Sequence, residues 1–506
     1  MSKPEYERLS AMDSSFLVFE GPNTHMNIGG TAIFDAGPLT TASGGVEIDR
    51  IRRYIGSRLH LVPRYRQRLA FVPVENRPVW VDDDHFNLDY HVRHTSLPRP
   101  GDDHQLKRLT GRIMSQQLDR RRPLWEAWLV EGLAEGRFAL ISKVHHCMVD
   151  GVSGVDLLAA LLKGEPDESI EEPARWVPRP APTGWQLFRN ELLRRVRVPL
   201  AISRELQQLV VDPERAGGRW LESVNAVFEL LRTGLRLPAG TPLNRPVGPH
   251  RRFDWLTIDL ADVKAVKNRL GGTVNDVVLT TVAGAVRRFL LRRRVDLRAL
   301  EYRAAVPVSV RAPHEQGTMG NRVSAWLTPI PIQEGDPAAR FRAVRDTTAA
   351  LKETNQAMGA AVLEELAELA GLGMLTLGVR LASWVHPYHL IVTNVLGPQF
   401  PLFMLGAPML VGYPVVPLFE NQGLGVAVFS YCGKLCWGIN ADWDMVPDLH
   451  DFVGDVRQSF VELHRAALAP DVARARPKRR RARGRTIADQ RAASTDDRAH
   501  ANQGRR

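Results

Sequence analysis

Two adjacent histidines, His145 and His146, stand just before Asp150 and Gly151. Histidine changes charge near neutral pH, so it is the usual side chain for taking a proton from a hydroxyl or thiol in a transition state. The apolar run Arg137-Phe138-Ala139-Leu140-Ile141-Ser142 reads as a buried strand, and Val152 to Leu161 reads as a helix. The pair therefore sits where a strand ends and a helix begins. Side chains alternate across a strand, so His145 and His146 cannot both line one cavity. One is a candidate base; the other packs or orients. Asp150, ahead of a glycine, predicts a tight turn that holds the histidine in place. Residue types alone also allow a plainer arrangement, a buried hydrogen-bonded histidine pair capped by a turn aspartate.

Other chemistries are less well supplied. A nucleophile elbow needs Gly-x-Ser-x-Gly, whereas Gly151-Val152-Ser153-Gly154 brings its second glycine one residue early. Cys147 points away from His146 if the strand continues, which disfavours a Cys–His nucleophile. Leu424 to Cys436 reads as a hairpin turning at Gly433-Lys434 in a type II′ turn, with Cys432 and Cys436 on its two arms. No further ligands are spaced to complete a zinc site there, so no metal is expected. Direct transfer by one general base remains.

The elements around the pair are legible from pattern. Pro123-Leu124-Trp125 opens the strand that runs to Val130, with proline where a strand tolerates it. Val46 to Leu61 has helical spacing, with Ile48, Ile51, Ile55 and Leu59 on one face. Arg64, Arg66 and Arg68 follow, either as a solvated face or as the source of a cation for Asp150, since a semi-buried carboxylate needs a partner. A helix from Leu260 to Leu270 should stop at Gly271-Gly272. Thr273 then caps a helix from Val274 towards Leu291, with Asp276 closing a variant capping box. That places Asn275 in the first turn, among free backbone N–H groups at the positive end of the helix dipole. Such a place suits either a cap or an oxyanion.

These motifs, in this order, resemble the wax ester synthase/diacylglycerol acyltransferase family of the CoA-dependent acyltransferase superfamily. His-His-x-x-x-Asp-Gly at 145–151 carries the resemblance first. Pro123-Leu124-Trp125, Asn275-Asp276, Gly320-Asn321-Arg322 and Asn394-Val395-Leu396-Gly397-Pro398 extend it, the last with Leu396 where proline is usual. Leu9-Ser10-Ala11-Met12-Asp13 resembles the family's opening, and the whole likeness runs from about Leu9 to Leu463. It implies an α/β fold of two chloramphenicol-acetyltransferase-like domains with an active-site tunnel at their interface. It implies His146 as general base and Asn275 as oxyanion or substrate-positioning residue. His145, Asp150, Gly151 and Arg66 become structural support, with Arg66 the expected partner of Asp150. Trp125, Asp276 and Asn394 become substrate-binding positions. The substrates implied are a long-chain acyl-CoA, as co-substrate with no separate cofactor, and diacylglycerol or a long-chain alcohol as acceptor. Two other readings stay open: a condensation-type acyltransferase fed by a carrier protein or CoA in another lipid pathway, and a non-catalytic lipid-droplet protein. Intact His146, Asp150 and Asn275 argue against the second.

At 506 residues the chain exceeds one ordinary core. The expected partition is 1–164 carrying the histidine motif, a proline-rich and helical linker at 165–250, a second domain at 251–470, and a tail at 471–506. Hydrophobic residues at 44% and charged residues at 24% describe a globular protein, and three cysteines give no disulfide framework, which fits a reducing cytoplasm. The net charge of +11 is uneven: 471–506 hold twelve Lys/Arg against four Asp, or +8, leaving only +3 elsewhere. That basic, aperiodic tail is expected to be disordered and, lacking aromatics for stacking, not to bind nucleic acid. No apolar leader is visible at the N-terminus. The most apolar stretch, 389–419, is broken by Pro398, Pro401, Pro408, Pro414 and Pro417, which a spanning helix would not carry. Trp185, Phe188, Leu192 and Val196 share a helical face beside arginines, which suits either packing of that face on the protein with the arginines outward or contact with an anionic membrane surface. The expected location is cytoplasmic, peripherally associated with a membrane or lipid droplet.

Overall fold

Among the described residues, the fold is built on two six-stranded sheets and one small one. In the computed structural model, residues 6–149, 157–193, 240–309, 323–353 and 388–469 are described. The first large sheet has the order β12 (Phe403–Met404), β13 (Ala407–Val415), β2 (Asn27–Asp35), β7 (Arg137–His145), β6 (Trp125–Leu133) and β5 (Val92–Ser96). The second runs β10 (Val323–Pro329), β9 (Arg303–Ser309), β11 (Leu390–Leu396), β14 (Leu424–Tyr431), β15 (Lys434–Asp442) and β8 (Arg251–Asp259). A three-stranded sheet joins β1 (Glu7–Arg8), β4 (Pro78–Asp82) and β3 (Gln67–Phe71). Each large sheet mixes parallel and antiparallel pairs, as an α/β chain with both hairpins and crossovers requires.

The expected partition by residue number is crossed in space. β12 and β13, from the C-terminal half, complete the N-terminal sheet, β13 pairing antiparallel with β2. The run 165–182 is also more than an open linker. It lies along the N-terminal half: Arg50 pairs with Glu168, Arg58 with Glu171, and Arg179 with Asp82.

Helix Asp103–Met114 is held between the two large sheets. It starts at a full capping box, Asp102 accepting from the Gln105 N–H and Gln105 reaching back to the Asp102 N–H. Leu106, Ile113 and Met114 pack with Ile33, Ala139 and Ile141 of the first sheet and Phe253 and Trp255 of the second. Thr110 hydrogen-bonds Thr31 at 3.0 Å. Gly111 meets β8 closely enough that a Cβ there would lie 2.9 Å from the Arg251 carbonyl oxygen.

In the second half the sequence expectations at helix ends hold. Leu260–Leu270 ends at Gly271 with φ of 70°, and Val274–Arg292 begins at Thr273 with the Asp276 capping box. The latter helix is buried over most of its length against the second sheet. One turn differs. The β14–β15 hairpin turns at Cys432-Gly433, both with positive φ, which is type I′ geometry rather than a II′ turn at Gly433-Lys434. Cys432 thus lies in the turn and only Cys436 on an arm. A type I′ turn fits the right-handed twist of the strands, and Gly433 meets its φ requirement without strain.

Candidate functional site

β7 carries the histidines to the centre of the first sheet's edge, between β2 and β6. Its polypeptide is pinned from both sides: the His145 N–H donates to the Leu124 carbonyl (2.9 Å), and the His146 N–H to the Met26 carbonyl (2.7 Å). His145 is the last strand residue, and His146 begins a short 3-10 turn, His146–Met148. The two rings accordingly diverge. His145 is fully buried, whereas His146 is half-buried.

His146 lies against Phe16 of the opening helix Ala11–Phe19, ring centroids 3.8 Å apart and planes 16° from parallel. Burial penalises its charged form and pushes its pKa down to about 4, with a smaller contribution from His145. At neutral pH the ring is therefore uncharged and able to accept a proton. Its Nδ1 is buried without a hydrogen-bond partner among the described residues.

His145 is fixed differently. Its Nδ1 accepts from the Cys147 N–H at 3.2 Å, so the proton sits on Nε2, which faces Glu20 Oε2 at 3.6 Å. Glu20 also takes two contacts from Arg120, at 2.9 and 2.6 Å. Burial alone would raise the Glu20 pKa; His145 and Arg120 outweigh it and hold the carboxyl at about 2.

The same sheet face turns from apolar to polar as it nears this turn. Ala139 and Ile141 give way to Lys143 and His145, which sit opposite Gly29 and Asn27 of β2. Lys143 is fully buried, with its Nζ 3.9 Å from Glu126, and burial lowers its pKa to about 8 against the pull of that carboxylate. Neither Glu20 nor Lys143 was expected from sequence. A glutamate one turn after Phe16 and a lysine two residues before His145 are the only local traces of them.

The remaining expected residues are spread through the fold. Trp125 is fully buried, its indole N–H donating to the Tyr65 carbonyl (2.8 Å) and its ring stacked on His91 at 4.6 Å. It sits opposite Val144 in register, so it supports the strand just before the histidines. Arg66 is half-buried, with its guanidinium over Trp176 at 5.1 Å. Asp150 and Gly151 lie outside the described residues, and with them the expected brace. Asn275 is half-buried in the first turn of Val274–Arg292, and no hydrogen bond joins it directly to His146. Asp276, expected to bind substrate, is buried and engaged in structural hydrogen bonds at both carboxylate oxygens. Oδ2 accepts from the Thr273 N–H and hydroxyl, and Oδ1 from the Thr348 hydroxyl at 2.7 Å. The capping geometry that starts the helix therefore gives this side chain a structural role. Asn394 lies half-buried on β11 beside the core positions Leu390 and Val392, its Oδ1 without a partner among the described residues. Among those residues no group of three or more His, Cys, Asp or Glu is arranged to hold a metal, and no helix is long and apolar enough to cross a membrane.

Comparison with known proteins bears directly on this arrangement. The model of the wax ester synthase/diacylglycerol acyltransferase catalytic domain matches residues 9–278, and that of the WS/DGAT C-terminal domain matches 319–464. A putative diacylglycerol O-acyltransferase of Mycobacterium tuberculosis strain H37Rv is 34% identical over 470 residues, 90% of each chain. A second protein of that strain, a probable diacylglycerol O-acyltransferase, is 31% identical over 90% of this chain and 95% of its own. Among solved structures, the wax ester synthase/diacylglycerol acyltransferase of Marinobacter aquaeolei VT8 superposes with a TM-score of 0.65 at 24% identity, covering 91% of this chain and 99% of that one. The first condensation domain of the calcium-dependent antibiotic synthetase gives 0.57 at 15% identity over 92% and 97%, a likeness of fold. With its histidine pair at the end of β7 and both family models matched in order, the chain belongs to the wax ester synthase/diacylglycerol acyltransferase family.

Proposed function

We propose that this acyltransferase moves a long-chain acyl group from acyl-CoA to diacylglycerol, and to a long-chain alcohol where one is offered, by direct general-base catalysis from His146. The observation that carries the reading is the place and state of His146, a ring at the end of a central strand, stacked on Phe16 and kept neutral by burial. As the acceptor hydroxyl oxygen attacks the thioester carbonyl, His146 takes the hydroxyl proton. The tetrahedral intermediate then collapses, the carbon–sulfur bond breaks, and the CoA thiolate leaves with the proton returned from His146. No acyl-enzyme forms. Asn275 and the free N–H groups at the start of its helix are suited to the developing oxyanion, once acyl-CoA brings the carbonyl to them.

We also place the enzyme in the cytoplasm, at a membrane or lipid-droplet surface. Helix 184–193 buries Leu187 and Glu191 and turns Trp185 (69% exposed) and Leu192 (53% exposed) outward beside Arg189, with Phe188 half-buried, an arrangement that supports surface contact. The basic tail and Val196 lie outside the described residues.

The test is purified protein with radiolabelled palmitoyl-CoA and either diolein or hexadecanol. Triacylglycerol or wax ester should form, and His146→Ala should lower turnover by about 10²–10⁴-fold with native circular dichroism. Full turnover in His146→Ala would remove the base assignment. Acyl transfer only from a carrier-protein thioester would favour the condensation-type reading.

A further inference from the structure

We propose that Glu20 is a positioning residue for acyl transfer, acting through His145 on the turn that carries His146; the inference rests on His146 being the base. Glu20 caps the opening helix, its N–H donating to the Phe16 carbonyl at 3.1 Å, one turn beyond the ring that stacks on His146. One rigid helical turn therefore presents Phe16 to one histidine and Glu20 to the other.

The Glu20 side chain is 1% exposed. A buried carboxylate is unfavourable unless paired, and Arg120 already supplies a two-point partner that also donates to the Leu17 carbonyl at 3.1 Å. Stability alone needs only that pair. What Glu20 adds is directed at His145. Because His145 Nδ1 accepts from the Cys147 N–H, the proton sits on Nε2, which faces Glu20 Oε2 at 3.6 Å, an electrostatic contact rather than a hydrogen bond. The opposite tautomer would set N–H against N–H at Cys147 and a lone pair against a carboxylate. Ionised Glu20 thus selects the tautomer, as carboxylates do for histidines that hold or orient reacting groups. The Cys147 N–H bond in turn caps the start of the 3-10 turn whose first residue is His146. Releasing the His145 ring releases that turn, and a base displaced by about an ångström loses on the order of 10²-fold in rate.

The experiment measures kcat and KM with palmitoyl-CoA and diolein, alongside Tm, for Glu20→Ala, Glu20→Gln, His145→Asn and the double variant Glu20→Ala/His145→Asn. Asn at 145 keeps an oxygen where Nδ1 stood, able to take the Cys147 N–H, but has nothing that reaches Glu20. Glu20→Ala should lower kcat by about 10–100-fold with KM within about twofold. Glu20→Gln, which keeps an acceptor for the His145 proton, should recover part of that loss. His145→Asn should match Glu20→Ala, and the double variant should lose no more than the worse single, because the two changes break one tie. If Glu20→Ala does not fold, His145→Asn and Glu20→Gln test the same tie. A lower Tm at unchanged kcat, or losses that multiply in the double variant, would overturn the inference. Full activity in His146→Ala would instead remove the base assignment beneath it, whatever happens at Glu20.

Discussion

The rings of Phe16 and His146 lie 3.8 Å apart and 16° from parallel, so one face of the imidazole is closed by an aromatic ring. That cover is part of the burial that holds His146 near a pKa of about 4, against an ordinary 6.5. A histidine whose folded pKa is lowered keeps its neutral form as pH falls, and is protonated only near the folded value.

Phe16→Ala should admit water to that face and let the pKa rise toward 6.5. The acid limb of the kcat/KM profile would move to higher pH, measured between pH 4 and 8 under conditions where both proteins remain folded. The unfolded chain binds this proton below about 6.5 and the wild-type fold does not, so stability should fall from pH 6.5 towards 4, and fall less in Phe16→Ala. An acid limb that stays in place would mean that Phe16 packs without shielding the base.

Lys143 offers a second titration with the sign set by burial. Its folded pKa of about 8 lies below the ordinary 10.5, so between those values the unfolded chain binds a proton that the fold does not. Stability from this group rises with pH across that window, by at most about 1.4 kcal/mol per pH unit. Lys143→Met should flatten that part of the urea-unfolding profile. It should be neutral or stabilising at pH 7, because Glu126 keeps Arg93 at 3.0 Å. A marked loss of stability at pH 7 would show that the amine is satisfied and needed.

Much of this was legible in the sequence, for local reasons. The strand ending at His145, the β6–β7 hairpin, the Thr273 cap and the Gly271 stop are each written within a few residues. What escaped depends on distant chain. Prolines 408 and 414 broke the pattern around β13, so the segment did not read as a strand. Yet Pro408 sits at its start and Pro414 near its end opposite Gly30, where a Cβ would lie 2.8 Å from the Tyr413 carbonyl oxygen. Gly30 of β2 makes room for a strand that arrives nearly four hundred residues later, while Gly29 lies close against β7 at Ser142. Glu20 was equally hidden, since a glutamate after an apolar helix looks solvated until Arg120 and His145 are brought to it.

Gly438 tests the contact between the two large sheets. It lies on β15 where β13 crosses, and a Cβ added there would run into the carbonyl oxygen of Pro414. Because that neighbour is main chain held in a sheet, it cannot turn aside as a side chain would. Gly438→Ala should lower Tm by several degrees, the consequence of an overpacking penalty of about 1–3 kcal/mol. An unchanged Tm would mean that the strands part without loss.

Asp276 separates scaffold from site in a single side chain. Its carboxylate completes the Thr273 capping box of helix Val274–Arg292, whose first turn holds Asn275, and ties that helix to Thr348 of helix Pro337–Glu353. Asp276→Ala removes a cap contribution of about 1 kcal/mol. It also removes the Thr348–Asp276 hydrogen bond, worth about 0.5–1.5 kcal/mol, while the Thr348 hydroxyl keeps the Arg345 carbonyl at 3.0 Å. Urea unfolding should therefore show a loss of about 1.5–2.5 kcal/mol with the m-value unchanged. Since the cap sets the direction of the first turn, kcat should fall with Asn275 displaced, while KM for palmitoyl-CoA stays near wild type in the folded protein. A raised KM at undiminished stability would return Asp276 to the substrate and leave Thr273 alone as the cap.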